Sequence, residues 1–306
     1  MEFKEEYYTA EKEMPLLQLL LEHYRPYRAK ELIRNNLVLV NDRVVSRKSF
    51  IVVPGDRIMA NVPQGKALDP VPEDIPVDIL YEDDEMLVIN KPKGMPAAVC
   101  PGHYTGTLQN ALLFHMNEDF RTQSFHFPHR IDMNTSGCLL AAKTKNARRS
   151  LSAQINEHTC CREYIALTEG IVEKDSDTID MPIGRSIENR LKFSCTDCYD
   201  EKDCITKYNV LERFEDSTLL HITLETGRTH QIRAHMEAIG HPIIGDSLYG
   251  STTEPEGLPG QTLHAECISF AHPVTGERMV FHAPLPDYFR HMIEVRRSSA
   301  DKNQDI

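Results

Sequence analysis

No apolar run in the 306 residues approaches the ~18 that a membrane-spanning helix needs, so none of the chain is read as crossing a bilayer. The first fourteen residues, MEFKEEYYTAEKEM, lack the basic start and apolar middle of a secretory signal, and the cytoplasm is the expected location. Eight cysteines without secretory context read as free thiols rather than a disulfide framework. Cys195, Cys198 and Cys204 offer thiols but no fourth ligand at finger-like spacing, so no structural zinc is expected. There are fourteen histidines but no His-Glu-x-x-His, and His230 and His235 stand five apart, off the i, i+4 face that a helical metal site uses. An excess of positive charge is also missing. The net charge of −12 argues against general affinity for phosphate, although the local distribution decides more than the sum.

What is present is ordinary globular composition, 41% apolar and 26% charged, long enough for one large domain and one small one. Residues 1–13 read as a solvated, flexible arm. Leucines at 16, 17, 19, 20 and 21 predict a buried helix, and 27–33 a second one that carries Arg28, Lys30 and Arg34. Short strands at 37–40, 44–45 and 50–53 follow, punctuated by Asn41-Asp42 and Pro54-Gly55-Asp56. From 14 to 61 eight Lys/Arg face four acids, a local excess of +4 against the sign of the whole chain. Residues 14–62 are therefore a small α/β domain with a basic face. Four prolines in 63–78 mark a semi-rigid linker, and the uninterrupted acids at 69, 73, 74, 78 and 82–85 predict a surface that repels phosphate.

The large domain, 79–292, reads as alternating strands and helices before a charged tail, 293–306. Strands are expected at 86–90, 138–142, 163–168, 206–211, 219–224, 265–271 and 277–282. In the third of these, alternation puts Tyr164 and Ala166 on one face and Ile165 and Leu167 on the other. Residues 107–115 form a helix. Ala147, Leu151 and Ile155 define another, and Ile232, Met236 and Ile239 a third that Gly240 and Pro242 end.

Residues 128–144, PHRIDMNTSGCLLAAKT, run a polar, turn-rich loop straight into an apolar strand, the setting in which chemistry concentrates. Taken alone, Asp132 is a turn former. The pattern His-Arg-Ile-Asp-x-x-Thr-Ser-Gly, an apolar run and then Lys closely resembles the signature of the RluA-type pseudouridine synthases, with Ile131 in place of the usual Leu. Further matches follow in order: Asn-Lys-Pro-x-Gly at 90–94, Thr-Gly-Arg-Thr-His-Gln-Ile-Arg at 226–233, Leu-His-Ala at 263–265, Phe-Ala-His-Pro-Val-Thr-Gly-Glu at 270–277 and Ala-Pro-Leu-Pro at 283–286. Residues 14–62 resemble the αL-type RNA-binding domain named after a small-subunit ribosomal protein.

The resemblance implies an α+β catalytic fold with a mainly antiparallel sheet, a cleft across its face and helices behind. It makes Asp132 the catalytic carboxylate, Arg233 the ion-pair partner that keeps it ionised, and Tyr164 the ring against the target base. Arg130, with His129 beside it, is placed to fill the vacancy left by a uridine that leaves its stack. Arg228 is expected to meet phosphate ahead of a helix, and Arg28, Lys30 and Arg34 to meet RNA on the small domain.

Pseudouridine formation breaks the N1–C1′ bond of a uridine, turns the base and joins C5 to the same C1′. It requires no redox step, metal or nucleotide cofactor. Asp132 could attack C1′, attack C6, or remove the C2′ proton, and the sequence leaves all three open. The expected function is isomerisation of specific uridines in structured RNA by a monomer, with large-subunit ribosomal RNA as the first expectation and tRNA as the alternative. A non-catalytic RNA-binding assembly factor would not require Asp132, Tyr164 and Arg233 together. An N-glycoside hydrolase would typically need two carboxylates ~5 Å apart, and this loop supplies one.

Overall fold

A computed structural model describes residues 2–24, 26–64, 70–119, 123–253 and 260–302. Two compact units divide the chain, Met1–Ala67 and Leu68–Ile306. No helix is long and apolar enough to cross a membrane among the described residues.

The first unit runs β1 (Glu2–Thr9), β2 (Met14–Pro15), α1 (Leu16–His23), α2 (Pro26–Arg34), β3 (Val38–Val40), β4 (Arg43–Val44), β5 (Ile51–Val52) and β6 (Arg57–Gln64). Leu16, Leu19 and Leu20 of α1 and Leu32 and Ile33 of α2 close over Val38, Val40, Val52 and Ile58 in one apolar cluster. Asn41 and Asp42 both take positive φ, 47° and 64°, the turn that joins β3 to β4 with the twist a hairpin prefers. The sequence expectation of a flexible arm at 1–13 is corrected. β1 pairs with β6 from Glu2 to Thr9, and the Tyr8 ring stacks on His23 at 4.1 Å between centroids. Tyr24 and Tyr8 hydroxyls both reach the Glu6 carboxylate, at 2.6 and 2.8 Å. A charged, alternating segment is how an edge strand is kept from pairing with other chains, and its charge was misread as solvation.

The second unit continues with β7 (Asp78–Glu82), β8 (Met86–Lys91), α3 (Leu108–His115), β9 (Ser136–Ala142), α4 (Lys145–Asn156), β10 (Cys161–Glu169), β11 (Ser176–Asp180), β12 (Ile183–Ser186), β13 (Phe193–Ser194) and β14 (Cys198–Lys202). Then come β15 (Ile205–Arg213), β16 (Ser217–Leu224), α5 (Gln231–Ala238), β17 (Leu263–Ala271), β18 (Arg278–His282) and α6 (Asp287–Lys302). Nine strands form one mixed sheet in the order β11-β15-β16-β10-β17-β9-β8-β7, with β18 also on β17. Every pairing is antiparallel except β9 with β17.

Strand alternation divides the core. Leu139, Ala141, Tyr164, Ala166, Leu220 and Ile222 face one side, under α3 and α5. Cys138, Leu140 and Ala142 face the other, under α4, and Ile165 and Leu167 meet Phe289 and Ile293 of α6. Helices therefore cover both faces, not only the back, because the central strands are apolar on both sides. The tail expectation changes likewise, since α6 carries helix through 293–302 with Ile293 buried.

Of the 63–78 linker, 65–69 lie outside the described residues. The stretch after them is docked on the second unit: the Asn110 side chain donates to Val71 O (2.7 Å) and the Gly106 N–H to Glu73 (3.0 Å). The acids at 82–85 also find bases distant in sequence. Glu82 pairs with Lys143 (3.0 Å) and His115 (2.8 Å), and Asp83 with His272 (2.9 Å).

The parallel contact between β9 and β17 is two residues long, Ser136 to His264 and Gly137 to Ala265. Gly137 has φ +106°, and a Cβ there would lie 2.2 Å from Ala265 O. Only glycine lets the two strand starts approach. Gly137→Ala is expected to lower unfolding free energy by at least about 2 kcal/mol. Gly94→Ala, at φ +82° with nothing within 4 Å, should cost about 1–2 kcal/mol from backbone conformation alone. Urea unfolding of the two variants would expose an error if their losses were equal.

Candidate active site

Both strands that meet at Gly137 are entered from the same end, and the loop before β9 carries Asp132. Lys91, fully buried at the end of β8, ties that loop to the turn beside it by donating to Pro92 O (2.8 Å), Met95 O (2.8 Å) and Met133 O (3.0 Å). The Gly94 N–H also reaches Met133 O, at 2.9 Å, and the Gln261 side chain donates to Thr135 Oγ1 at 3.1 Å. Burial pushes the Lys91 ammonium down to about 7, opposed by the nearby Asp132 charge.

Across from this loop, α5 is fixed by its own polar side chains. Gln231 Oε1 accepts from Thr226 Oγ1 (2.9 Å) and from the Arg228 N–H (3.0 Å), while Gln231 Nε2 donates to Ile205 O and Thr206 Oγ1, both at 3.0 Å. His235 bonds to Thr206 Oγ1 and Met181 O at 2.8 and 3.0 Å. Much of Thr-Gly-Arg-Thr-His-Gln-Ile-Arg thus seats the helix, and Arg233 is left to reach into the cleft.

Arg233 does not pair with Glu237, which binds Lys192 instead. Its Nε and Nη2 donate to Asp246 at 2.6 and 2.8 Å, and its Nη1 donates to Asp132 at 2.9 Å. Tyr249 lies under the guanidinium, 4.7 Å from ring centroid to Cζ. Burial works against the Arg233 charge, but Asp246 and Asp132 outweigh it and raise its pKa further. The side chains of Arg233 and Asp246 are 8% and 2% exposed, while Asp132 keeps 25%. The solvent-facing member of the triad is therefore the carboxylate on the loop.

The cleft is lined by Arg130, Ile131, Asp132, Thr135, Tyr164, Leu224, Arg228, His230, Gln231, Ile232, Arg233 and Leu263. Tyr164 presents its ring from β10, and its hydroxyl has no hydrogen-bond partner among the described residues. Burial pushes that phenol up to about 12; Arg162 opposes the shift and Asp132 adds to it. His230 takes a left-handed conformation at the start of α5, φ 58°. One ring nitrogen meets the Tyr249 hydroxyl at 2.9 Å and the other lies 3.8 Å from Asp132. Burial lowers its pKa against the pull of Asp132.

Of the residues expected from sequence, Asp132, Tyr164, Arg233, Arg130 and Arg228 come together at this cleft. His129 does not join them, which corrects the expectation that it meets RNA. It is buried and its Nε2 accepts the Leu140 N–H at 3.2 Å, so the ring props strand β9 from within. On the separate N-terminal unit, Lys30 and Arg34 are exposed on α2 and Arg28 pairs with Glu31 at 3.2 Å. No cluster of three or more metal-ligating His, Cys, Asp or Glu occurs among the described residues. Asp246, Tyr249 and Lys91 were missed. A lone Asp after Gly and a Lys in a strand-end turn carry no local signal; only the fold reveals what each one faces.

The family described as RNA pseudouridylate synthase matches residues 85–238, and the S4 domain matches residues 20–58. The chain belongs to the RluA-type RNA pseudouridine synthases. An uncharacterised RNA pseudouridine synthase of Bacillus subtilis (strain 168) is 42% identical over 270 residues, covering 87% of this chain and 88% of that one. Ribosomal large subunit pseudouridine synthase D of Neisseria meningitidis (serogroup A, strain Z2491) is 39% identical over 302 residues, covering 95% and 80%. Among solved structures, human RNA Pseudouridylate Synthase Domain Containing 1 superposes with a TM-score of 0.58 at 25% identity, over 77% of this chain and 98% of that one. This pseudouridine synthase is thus an isomerase, preceded by an S4 RNA-binding domain.

Burial and, less strongly, Arg162 push the His129 imidazole down to about 3, below the ~6.5 of an unfolded chain. As pH falls the unfolded chain takes this proton first. The contribution is complete above pH ~6.5 and is lost between there and the folded value, at about 1.4 kcal/mol per pH unit. His129→Gln, which keeps an acceptor for Leu140, should flatten the decline in urea midpoint between pH 6.5 and 4. A variant as acid-sensitive as the wild type would contradict this assignment.

Proposed function

We propose that this enzyme isomerises specific uridines of large-subunit ribosomal RNA to pseudouridine, with Asp132 as the catalytic carboxylate. The observation that carries the reading is the single carboxylate held at the mouth of the cleft by an arginine whose other edge is taken up by Asp246. Asp246 is buried and spent on the arginine, so Asp132 is the one carboxylate of the pair that faces the cleft, whereas a glycosidase typically needs two free carboxyl groups about 5 Å apart. The choice of ribosomal RNA is supported by relatives named Ribosomal large subunit pseudouridine synthase D in several bacteria, at 35–40% identity.

The reaction conserves atoms. The N1–C1′ bond breaks, the uracil turns within the cleft, C5 bonds to C1′, and the C5 proton is lost while N1 gains one. Asp132 acts either as nucleophile at C1′ or C6, or as base at C2′. Arg233 holds and aims it through the hydrogen bond from Nη1. Tyr164 packs against the turned base and stands near the C5 proton as a neutral phenol, its pKa raised by burial to about 12. Arg130 fills the space the flipped uridine leaves, and Arg228 meets phosphate at the cleft rim.

Carbodiimide mapping of pseudouridine in total RNA from cells lacking the gene tests this directly. Sites lost from large-subunit ribosomal RNA should return with the wild type and not with Asp132→Ala. In single-turnover assays on unmodified transcripts, Asp132→Asn should be slower by at least about a thousandfold. Lost sites confined to tRNA would replace the substrate and keep the chemistry. Restoration by Asp132→Ala would remove Asp132 from its role.

A further inference from the structure

Arg162 stands two residues before Tyr164 on β10, and it is 6% exposed. Its Nε is buried with no hydrogen-bond partner, and the guanidinium makes no hydrogen bond or ion pair among the described residues. The other buried cations at the cleft are satisfied among the described residues, Arg233 by two carboxylates and Lys91 by three carbonyls, and half-buried Lys93 is met by the carbonyls of Gly260 and Gln261 at 2.8 Å. A buried cation without an acceptor is costly, and folds retain few.

Its surroundings indicate what the acceptor would be. The guanidinium lies against Gly227, where a Cβ would fall 2.2 Å from Nη1 and 3.0 Å from Cζ and Nη2. Gly227 is itself exposed, as is Arg228 after it, so one residue without a side chain is all that separates this charge from solvent at the cleft rim. Arg130, also exposed, lies on the same cleft. The neighbouring His129 is held neutral, with Arg162 contributing to that, and Glu225 is paired with Lys207.

We propose that Arg162 is a phosphate-binding residue, which takes a phosphodiester of the RNA backbone beside the flipped uridine at the Gly227-Arg228 rim. The inference rests on RNA being the substrate and adds a contact from below the rim to those of the exposed arginines. A guanidinium presents paired N–H donors that match two phosphate oxygens. Left unpaired in the free protein, it has its cost repaid on binding. The absence of a side chain at Gly227 is then explained by the approach of the backbone rather than by φ.

The test opposes stability to binding. Arg162→Met keeps volume and removes the unpaired charge, so its melting temperature should equal or exceed that of the wild type. Its affinity for unmodified ribosomal RNA and tRNA transcripts should fall about tenfold, and the slope of log K against log salt should shrink by about one. Arg162→Lys should recover part of the affinity. Unchanged affinity and slope in Arg162→Met would overturn the proposal, as would a large loss of melting temperature in both variants, the mark of a structural cation. Inorganic phosphate that stabilises wild type but not Arg162→Met, with RNA slopes equal, would assign the site to free anion and equally overturn it. Because the slope is read from binding, a wild type that binds RNA without isomerising it would sink the proposed reaction and leave this result standing.

Discussion

The guanidinium of Arg233 is the group on which the site depends. A buried arginine is costly unless its donors are met, and here Asp246 meets one edge from 2.6 and 2.8 Å while Asp132 meets a third nitrogen from 2.9 Å. Tyr249 closes the flat face. The result is an acidic group presented to the cleft whose orientation is set by a partner that cannot itself turn, since rotating Arg233 toward solvent would strand Asp246. Preorganisation of this kind is how an enzyme avoids rearranging its own dipoles as charge develops on the substrate.

The scaffold converts backbone constraints into that placement. Gly137 lets β9 and β17 start side by side, which brings the loop before β9 and the turn before β17 to one end of the sheet. Lys91 then ties the first of these loops to the turn after β8, donating to Met133 O on the loop and to Pro92 O and Met95 O in the turn. Helix α5 approaches from the other side, seated by Gln231 and His235 rather than by apolar contact alone. Each tether uses a polar group in the interior, so the rigidity of the cleft is bought with satisfied buried polarity.

Legibility in the sequence followed the range of the interaction. Period-2 and period-3.6 patterns placed β10, β16, α4 and α5, and the faces of Tyr164 and Ile165 came out as alternation predicts. Asp132, Tyr164 and Arg233 were singled out by ordered motif matches, which no local propensity would have ranked. What stayed hidden was partnership across the chain. Asp246 follows a glycine in a turn and gives no sign that Arg233 needs it. His129, beside Arg130 in the same motif, points inward because the strand it precedes needs an acceptor for Leu140. The N-terminal strand escaped notice because its charges describe an edge, and edges are written in the same residues as disordered arms.

The Asp132–Arg233 pair joins residues 101 apart, and the site also draws on β10 and on the turn at Asp246. No fragment shorter than the stretch from Asp132 to Asp246 contains it. Closing so long a loop is favourable only after the intervening strands have paired, because the entropy lost on closure must be repaid by sheet contacts formed in between. Catalytic competence therefore requires the strands between these residues to be in place, and turnover serves as a gauge of whether they have paired.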